Sequence, residues 1–207
     1  PKLVIGYAGA LHDLCHIAAA SGLTLPQVDA VCASAEPLLP AWRARISASF
    51  GAPVYDRYGT REVGAVACEP RPGEAMVYSP LHHLLETVRP DGSPCDPGEE
   101  GDLLVTALHS HAQPFIRYHI GDSAALGPAQ GGLSWPRVVS LGGRSVDQIR
   151  TLEGSSVSPL YFVHMIGVEL NHGELAAVQI EQTAIDALVL RYVAASGVSD
   201  AQIADAL

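Results

Sequence analysis

The chain has 207 residues, of which 48% are hydrophobic and 16% charged, and carries a formal net charge of −10. That sign of charge argues against a nucleic-acid partner, because proteins that bind a phosphate backbone cluster Lys and Arg to displace counterions. No apolar run approaches the roughly 18 residues of a membrane span, no basic stretch followed by an apolar run opens the chain, and a charged share below the usual quarter leads one to expect surface buried against something else.

From the amino terminus, Leu11, Leu14, Cys15 and Ala18 recur at helical spacing within Ala8 to Ala20 and Ser21-Gly22 stops the run, which predicts an amphipathic helix. Val28 to Ala33 is a short apolar strand candidate, Glu36-Pro37 breaks it, and Pro40 to Phe50 returns to helical spacing before Gly51-Ala52-Pro53 and a second strand at Val54-Tyr55. Alternating helices and strands imply a parallel α/β layer. From Gly64 to Val139 the candidates are short and extended, at Met76 to Tyr78, Leu84 to Val88, Leu103 to Thr106 and Val138 to Leu141, with Pro-, Gly- and Asp-containing turns between them. This stretch reads as a small β-barrel or sheet. After Gly142-Gly143 come a helix candidate at Pro159 to Val168, strands at Ala176 to Gln182 and Ala187 to Val193, and a last helix starting near Ser199-Asp200, the pattern of a small α+β domain.

Three stretches stand out against this background. They are Ser34-Ala35-Glu36-Pro37 with Tyr55-Asp56-Arg57-Tyr58-Gly59-Thr60-Arg61-Glu62; Pro114-Phe115-Ile116-Arg117-Tyr118-His119-Ile120-Gly121-Asp122; and Gly142-Gly143-Arg144-Ser145-Val146-Asp147-Gln148-Ile149. Taken alone, the first is a strand ending in a glycine turn with a solvated carboxylate, the second holds a common Gly-Asp turn, and the third is an exposed loop. Together, and in this order, they resemble the nucleotide-handling motifs of the adenylate-forming (acyl-CoA synthetase) superfamily. Ser-Ala-Glu-Pro, the compact Asp-x-Tyr-Gly loop and Pro-Phe-Ile-Arg-Tyr are most similar to its phenylacetate-CoA ligase branch.

The resemblance implies a role for each stretch. Ala35, Glu36 and Pro37 would form the adenine wall with Asp56, Tyr58, Gly59 and Thr60, the Tyr58 ring stacking on the purine and Gly59 letting the backbone pass close to the ligand. Glu62 would be a hard oxygen ligand for Mg beside the phosphates, and Asp122, which only accepts hydrogen bonds when ionised, would take both hydroxyls of the ribose. Arg144 would reach ribose or phosphate oxygens with its planar fork, so Glu62 and Arg144 are the catalytic candidates. The segment Gly6 to Ala10 would border the acyl pocket. The implied reaction activates a carboxylic acid, an aryl or arylacetic acid by family default, with ATP and Mg and passes it to coenzyme A.

The implied layout places the carboxy-terminal part of a large adenylation domain at 1–142, with an α/β layer at 1–63 and a β-rich subdomain at 64–142. A hinge follows at 143–149, then a small, truncated, mobile α+β domain at 150–207. Two departures qualify the match: Arg61 stands where many relatives carry Ser or Thr before the glutamate, and Val146 stands at the usual hinge position, with Asp147 directly after it. The family's Ser/Thr/Gly-rich phosphate loop has no counterpart, and Lys2 is the only lysine among twelve basic residues, so the family's carboxy-terminal catalytic lysine has none either. The chain by itself is therefore expected to be inactive, either as a fragment of a longer enzyme or as a non-catalytic, adenylate- or partner-binding relative. The expected partners are a small carboxylic acid and a nucleotide, with neither nucleic acid nor membrane, in the cytoplasm, a homodimer being left open.

Other chemistries fit less well. Cys15, Cys32, Cys68 and Cys95 are scattered without a CxxC pair, which suits free thiols in a reducing compartment. His82, His83, His109 and His111 lie in the same segment as Cys68 and Cys95 but at spacings that match no zinc pattern, and no Gly-x-Ser-x-Gly elbow supports a serine hydrolase.

Overall fold

The computed structural model describes residues 2–129, 134–144, 149–152, 156–157, 162, 166, 174–199, 201 and 203. The chain divides into two compact units, Pro1–Leu141 and Gly142–Leu207.

The first unit opens with strand β1 (Leu3–Tyr7), helix α1 (Ala8–Ala20), β2 (Ala30–Ser34), α2 (Pro40–Phe50) and β3 (Val54–Thr60). Both helices match the sequence expectation. In α1 the buried residues are Ala8, Leu11, Cys15 and Ala18, a stripe at helical spacing. In α2 a proline starts the helix, Ile46 and Phe50 are buried one turn apart, and Gly51 ends it in the left-handed conformation with φ 61. Strand β2 begins two residues later than expected. Val28 gives its N–H to the Phe50 carbonyl, and the parallel register with β1 and β3 starts only at Ala30 and Val31.

β1, β2 and β3 are parallel, and their buried residues Val31, Ala33 and Val54 form one core with Leu11, Ile46 and Phe50 of the helices. Every later strand pairing that joins this sheet with a stated register is antiparallel. β4 (Gly64–Cys68), β5 (Met76–Tyr78), β6 (His83–Val88), β7 (Glu100–Ala107), β8 (Tyr118–Gly127) and β9 (Arg137–Arg144) continue the same sheet in the order β1-β2-β3-β4-β5-β9-β8-β7-β6. The α/β layer and the β-rich stretch are thus one nine-stranded sheet in a mixed α/β fold, and no closed barrel occurs among the described residues. Leu103 and Val105, fully buried, centre a second core with Val66, Leu85, Ile120 and Val138.

In the second unit, β10 (Ile149–Arg150) pairs antiparallel with β11 (Ser156–Val157), and β12 (Leu175–Ala184) with β13 (Ala187–Ala194). Gln182 joins the two pairs, accepting the Arg150 N–H at 2.9 Å and donating to the Arg150 carbonyl at 2.8 Å. The helix candidate at Pro159 to Val168 and the one starting near Ser199-Asp200 fall almost wholly outside the described residues, as do Ser145 to Gln148 of the expected hinge.

The turn from β3 into β4 is close-packed. A Cβ on Gly59 would lie 2.7 Å from the Gly64 carbonyl oxygen, which is backbone and cannot swing aside. Gly59→Ala is therefore expected to cost about 1–3 kcal/mol, the range for overpacking. Urea unfolding of the paired proteins measures it, and an unchanged midpoint would contradict the packing.

Candidate functional site

Because β1, β2 and β3 are parallel, their carboxyl ends share one edge, with Tyr7 in register with Ser34 and Ser34 with Arg57. Open α/β sheets bind ligands in the crevice at such an edge. Ser34 is buried, and its hydroxyl donates to the Arg57 carbonyl at 3.0 Å. Ala35, Glu36 and Pro37 follow as exposed residues, Ala35 in left-handed backbone with φ 68. Glu36 reaches back across the edge, its Oε2 accepting the Gly9 N–H at 2.7 Å.

The end of β3 supplies the rest. Tyr58 Oη donates to Asp122 Oδ2 at 2.6 Å across 64 residues of sequence, at the short end of the range for an O–H donor. Asp122 lies within β8, where Gly121 takes φ 83, a conformation that a side chain there would resist. The two motifs expected to handle adenine and ribose therefore meet side chain to side chain. Thr60 Oγ1 is buried and without a hydrogen-bond partner among the described residues. Such orphaned groups in a native fold call for an explanation. Glu62 is exposed in the turn after β3. Buried His83 holds that turn, its Nε2 lying 3.1 Å from the Val63 carbonyl, which requires the tautomer with the proton on Nε2. Arg144 ends β9 in the second unit and is exposed.

Beneath the site is a charge cluster that the sequence does not single out. Arg43 of α2 forks onto Glu69, with Nη1–Oε2 2.9 Å and Nη2–Oε1 2.7 Å, and Nη1 also donates to the Val54 carbonyl at 2.5 Å. Glu69 Oε2 further accepts the Asp56 N–H at 2.9 Å, and the Glu69 N–H donates to the Asp56 carbonyl at 3.0 Å. Burial first, and the neighbouring Glu69 charge second, push the Asp56 carboxyl up from 3.8 to about 6. Only Asp56 of this trio belongs to a recognisable motif; Glu69, between Cys68 and Pro70, carries no pattern signal.

The four cysteines are free, and burial raises the Cys32 and Cys68 thiols above their usual range. His82 packs edge-on against His109 at 5.3 Å, yet no group of three or more His, Cys, Asp or Glu among the described residues is placed to hold a metal. No helix among the described residues is long and apolar enough to cross a membrane.

No family model matches the chain. A curated protein, phenylacetate-coenzyme A ligase of Escherichia coli (strain K12), is 34% identical over 130 residues, covering 60% of this chain and 29% of that protein. A solved 2-hydroxyisobutyryl-CoA ligase in the postadenylation state, in complex with R3-HIB-AMP, superposes with TM-score 0.76 at 22% identity, over 99% of this chain and 46% of that one. An anthranilate CoA ligase in complex with anthranoyl-AMP superposes with TM-score 0.73 at 16% identity, over 100% of this chain and 41% of that one. The structural likenesses show the fold, and the chain spans less than half the length of each of these proteins.

The Asp56 shift fixes a stability trend. A folded-state value of about 6 against 3.8 means that the folded chain holds a proton which the unfolded chain has released between those values. Ionised Asp56 thus penalises folding above about pH 6, and the penalty fades as pH falls toward about 4. Asp56→Asn is expected to stabilise the fold by about 1–2 kcal/mol at about pH 7.5, allowing for solvent screening, with the gain vanishing near pH 4. Thermal melts of both proteins across that range check the sign.

Proposed function

We propose that this chain, which belongs to the adenylate-forming ligase superfamily, works within an ATP-dependent acid-thiol ligase that forms an acyl-adenylate and then an acyl-CoA thioester. An aryl or arylacetic acid is the proposed substrate class, from the 34% identity to a phenylacetate-coenzyme A ligase. The observation that carries the proposal is the Tyr58–Asp122 hydrogen bond at 2.6 Å. It joins an aromatic ring suited to a purine face with a carboxylate suited to a ribose diol, as a bound adenylate requires.

The proposal extends to the remaining residues. Ala35, Pro37 and the main chain of Glu36 are proposed to line the adenine side together with Asp56, Tyr58, Gly59 and Thr60, and Arg144 is proposed as a catalytic residue alongside Glu62. Mg suits the donor set as a cation that takes one or two carboxylates and leaves its other positions to water and substrate phosphates. Glu62 is an exposed carboxylate in the turn two residues after Thr60, whose hydroxyl has no hydrogen-bond partner among the described residues. Residues 143–149 are proposed as the hinge, with 1–142 as part of the large domain, its β-rich stretch derived from a barrel, and 150–207 as the small mobile one. Left-handed Gly143, φ 84, suits a backbone swing. Grips on the phosphates other than these residues fall to the rest of the intact protein. A cytoplasmic location and no nucleic-acid partner complete the proposal.

Pyrophosphate release by the full-length protein across a panel of carboxylic acids tests it, with turnover expected for aryl or arylacetic acids. Glu62→Gln keeps the side chain's size and removes its charge, so turnover should fall at least about 10-fold with a smaller change in apparent ATP affinity. A protein that binds AMP yet turns over no acid would favour the non-catalytic relative.

Thr60 yields a sharper expectation, because its hydroxyl lacks a hydrogen-bond partner among the described residues. Thr60→Val should stabilise the ligand-free protein by up to about 1 kcal/mol by removing a buried unsatisfied group, while weakening the apparent ATP affinity. Unfolding and initial-rate measurements on the same variant test both halves. Lower stability with unchanged ATP dependence would assign the hydroxyl to the fold.

A further inference from the structure

The segments that leave β1 and β2 meet at one hydrogen bond. The N-cap of α1 is Tyr7, which offers no side-chain cap, so the first amides of the helix have no acceptor within it. Gly9 lies in that first turn, and its N–H donates to Glu36 Oε2 at 2.7 Å from 27 residues away. A Cβ on Gly9 would stand 2.8 Å from the same oxygen, so the carboxylate and any larger residue at position 9 compete for one space. The carboxylate also sits where a helix start favours negative charge. On its other side, Ala35 is held left-handed with φ 68 between Glu36 and Ser34, whose hydroxyl is bonded to the Arg57 carbonyl at 3.0 Å. An alanine keeps that conformation only when its surroundings over-determine it.

We propose that Glu36 is a positioning residue. By capping the Gly9 amide at the start of α1, it locks the Ser34–Pro37 segment to the Tyr7–Gly9 segment, so that the nucleotide side and the acid side of the site form one body. What the two segments contact rests on the ligase reading above, whereas the lock rests on geometry alone. Two consequences follow. The Glu36 carboxylate is engaged by the helix rather than turned to the nucleotide, and Gly9, on the acid side, controls nucleotide affinity through it.

The test uses the full-length protein with two readouts, amide hydrogen exchange at Gly9 and steady-state pyrophosphate release with ATP and an accepted acid. In the wild type the Gly9 amide should exchange at least about 10-fold more slowly than an uncapped first-turn amide, and Glu36→Ala should remove that protection. Glu36→Ala and Gly9→Ala should each raise the KM for ATP by about 3- to 10-fold while changing kcat by less than about 2-fold. Glu36→Gln, whose amide oxygen still accepts from Gly9, should retain most of the wild-type KM; this rescue separates loss of the lock from a general loss of folding. An unprotected Gly9 amide in the wild type would overturn the lock. Faster Gly9 exchange in Glu36→Ala with an unaltered KM for ATP would overturn the positioning role and leave the ligase reading standing. A wild type that releases no pyrophosphate with any acid would overturn the ligase reading and the positioning role together, whatever the exchange shows.

Discussion

Strand β3 pairs in parallel with β2 along Val54–Arg57 and antiparallel with β4 along Arg57–Thr60, so the strand passes from one kind of pairing to the other at Arg57. The parallel side brings the carboxyl ends of β1, β2 and β3 to a common edge. The antiparallel side reverses the chain at once, through a register shift between Tyr58 and Gly59 of the kind that re-aims a side chain. Without the first pairing, Ser34 would not stand opposite Arg57; without the second, Glu62 would not occupy a turn immediately after β3. The Tyr58–Asp122 bond depends on both, because the antiparallel half carries β8 and the parallel half positions the β2–β3 edge.

The charges under β3 secure it from the helix side. An Arg–carboxylate fork with a half-buried guanidinium and a Glu69 side chain only 6% exposed is compensated only if its other lone pairs are used, and here they accept the Asp56 N–H. The arrangement ties α2, β3 and the residue after β4 together within one turn of the site. Its electrostatic consequence falls on Asp56, which lies near the Glu69 charge and away from water. That carboxyl holds its proton more tightly than a surface aspartate does, and a motif residue thus serves the scaffold's electrostatics as well as any ligand.

Legibility in the sequence followed locality. Helices α1 and α2 could be read from Leu11, Cys15, Ile46 and Phe50, because a helix buries a stripe set by its own spacing. Strands β1, β4 and β8 are not legible in this way. Leu3, Ile5 and Tyr7 alternate as a strand does but remain exposed, Gly64–Cys68 is small and short, and Tyr118–Gly127 contains a Gly-Asp pair that normally signals a turn. Gly121 carries its positive φ inside the strand, which only the neighbouring strands can impose. At the site, the motifs identified Tyr58, Asp122 and Glu62 as residues but not their geometry. Glu36 stands against Gly9, and Arg43, Glu69 and His83 act through partners 20 or more residues away, which no local pattern encodes.

Two described non-glycine residues have positive φ, Ala35 at 68 and Arg117 at 48, and each lies in one of the motif stretches. Random accommodation of strain would scatter such residues over the turns, where glycine already absorbs them at Gly73, Gly92 and Gly98. Both are instead held by contacts on either side. The Arg117 N–H is bonded to Thr106 Oγ1 at 2.9 Å and its guanidinium to Glu86 at 3.2 Å, while Ala35 sits between the Ser34 and Glu36 anchors. Adding the Thr60 hydroxyl, which has no hydrogen-bond partner among the described residues, three local costs of about 1–3 kcal/mol each fall within the motif stretches. A fold selected for stability alone would have replaced them with glycine or an apolar isostere, substitutions that such sites accept readily. Their concentration in the motif stretches is what a pre-organised ligand site would require, since geometry held in place before binding does not have to be created by it.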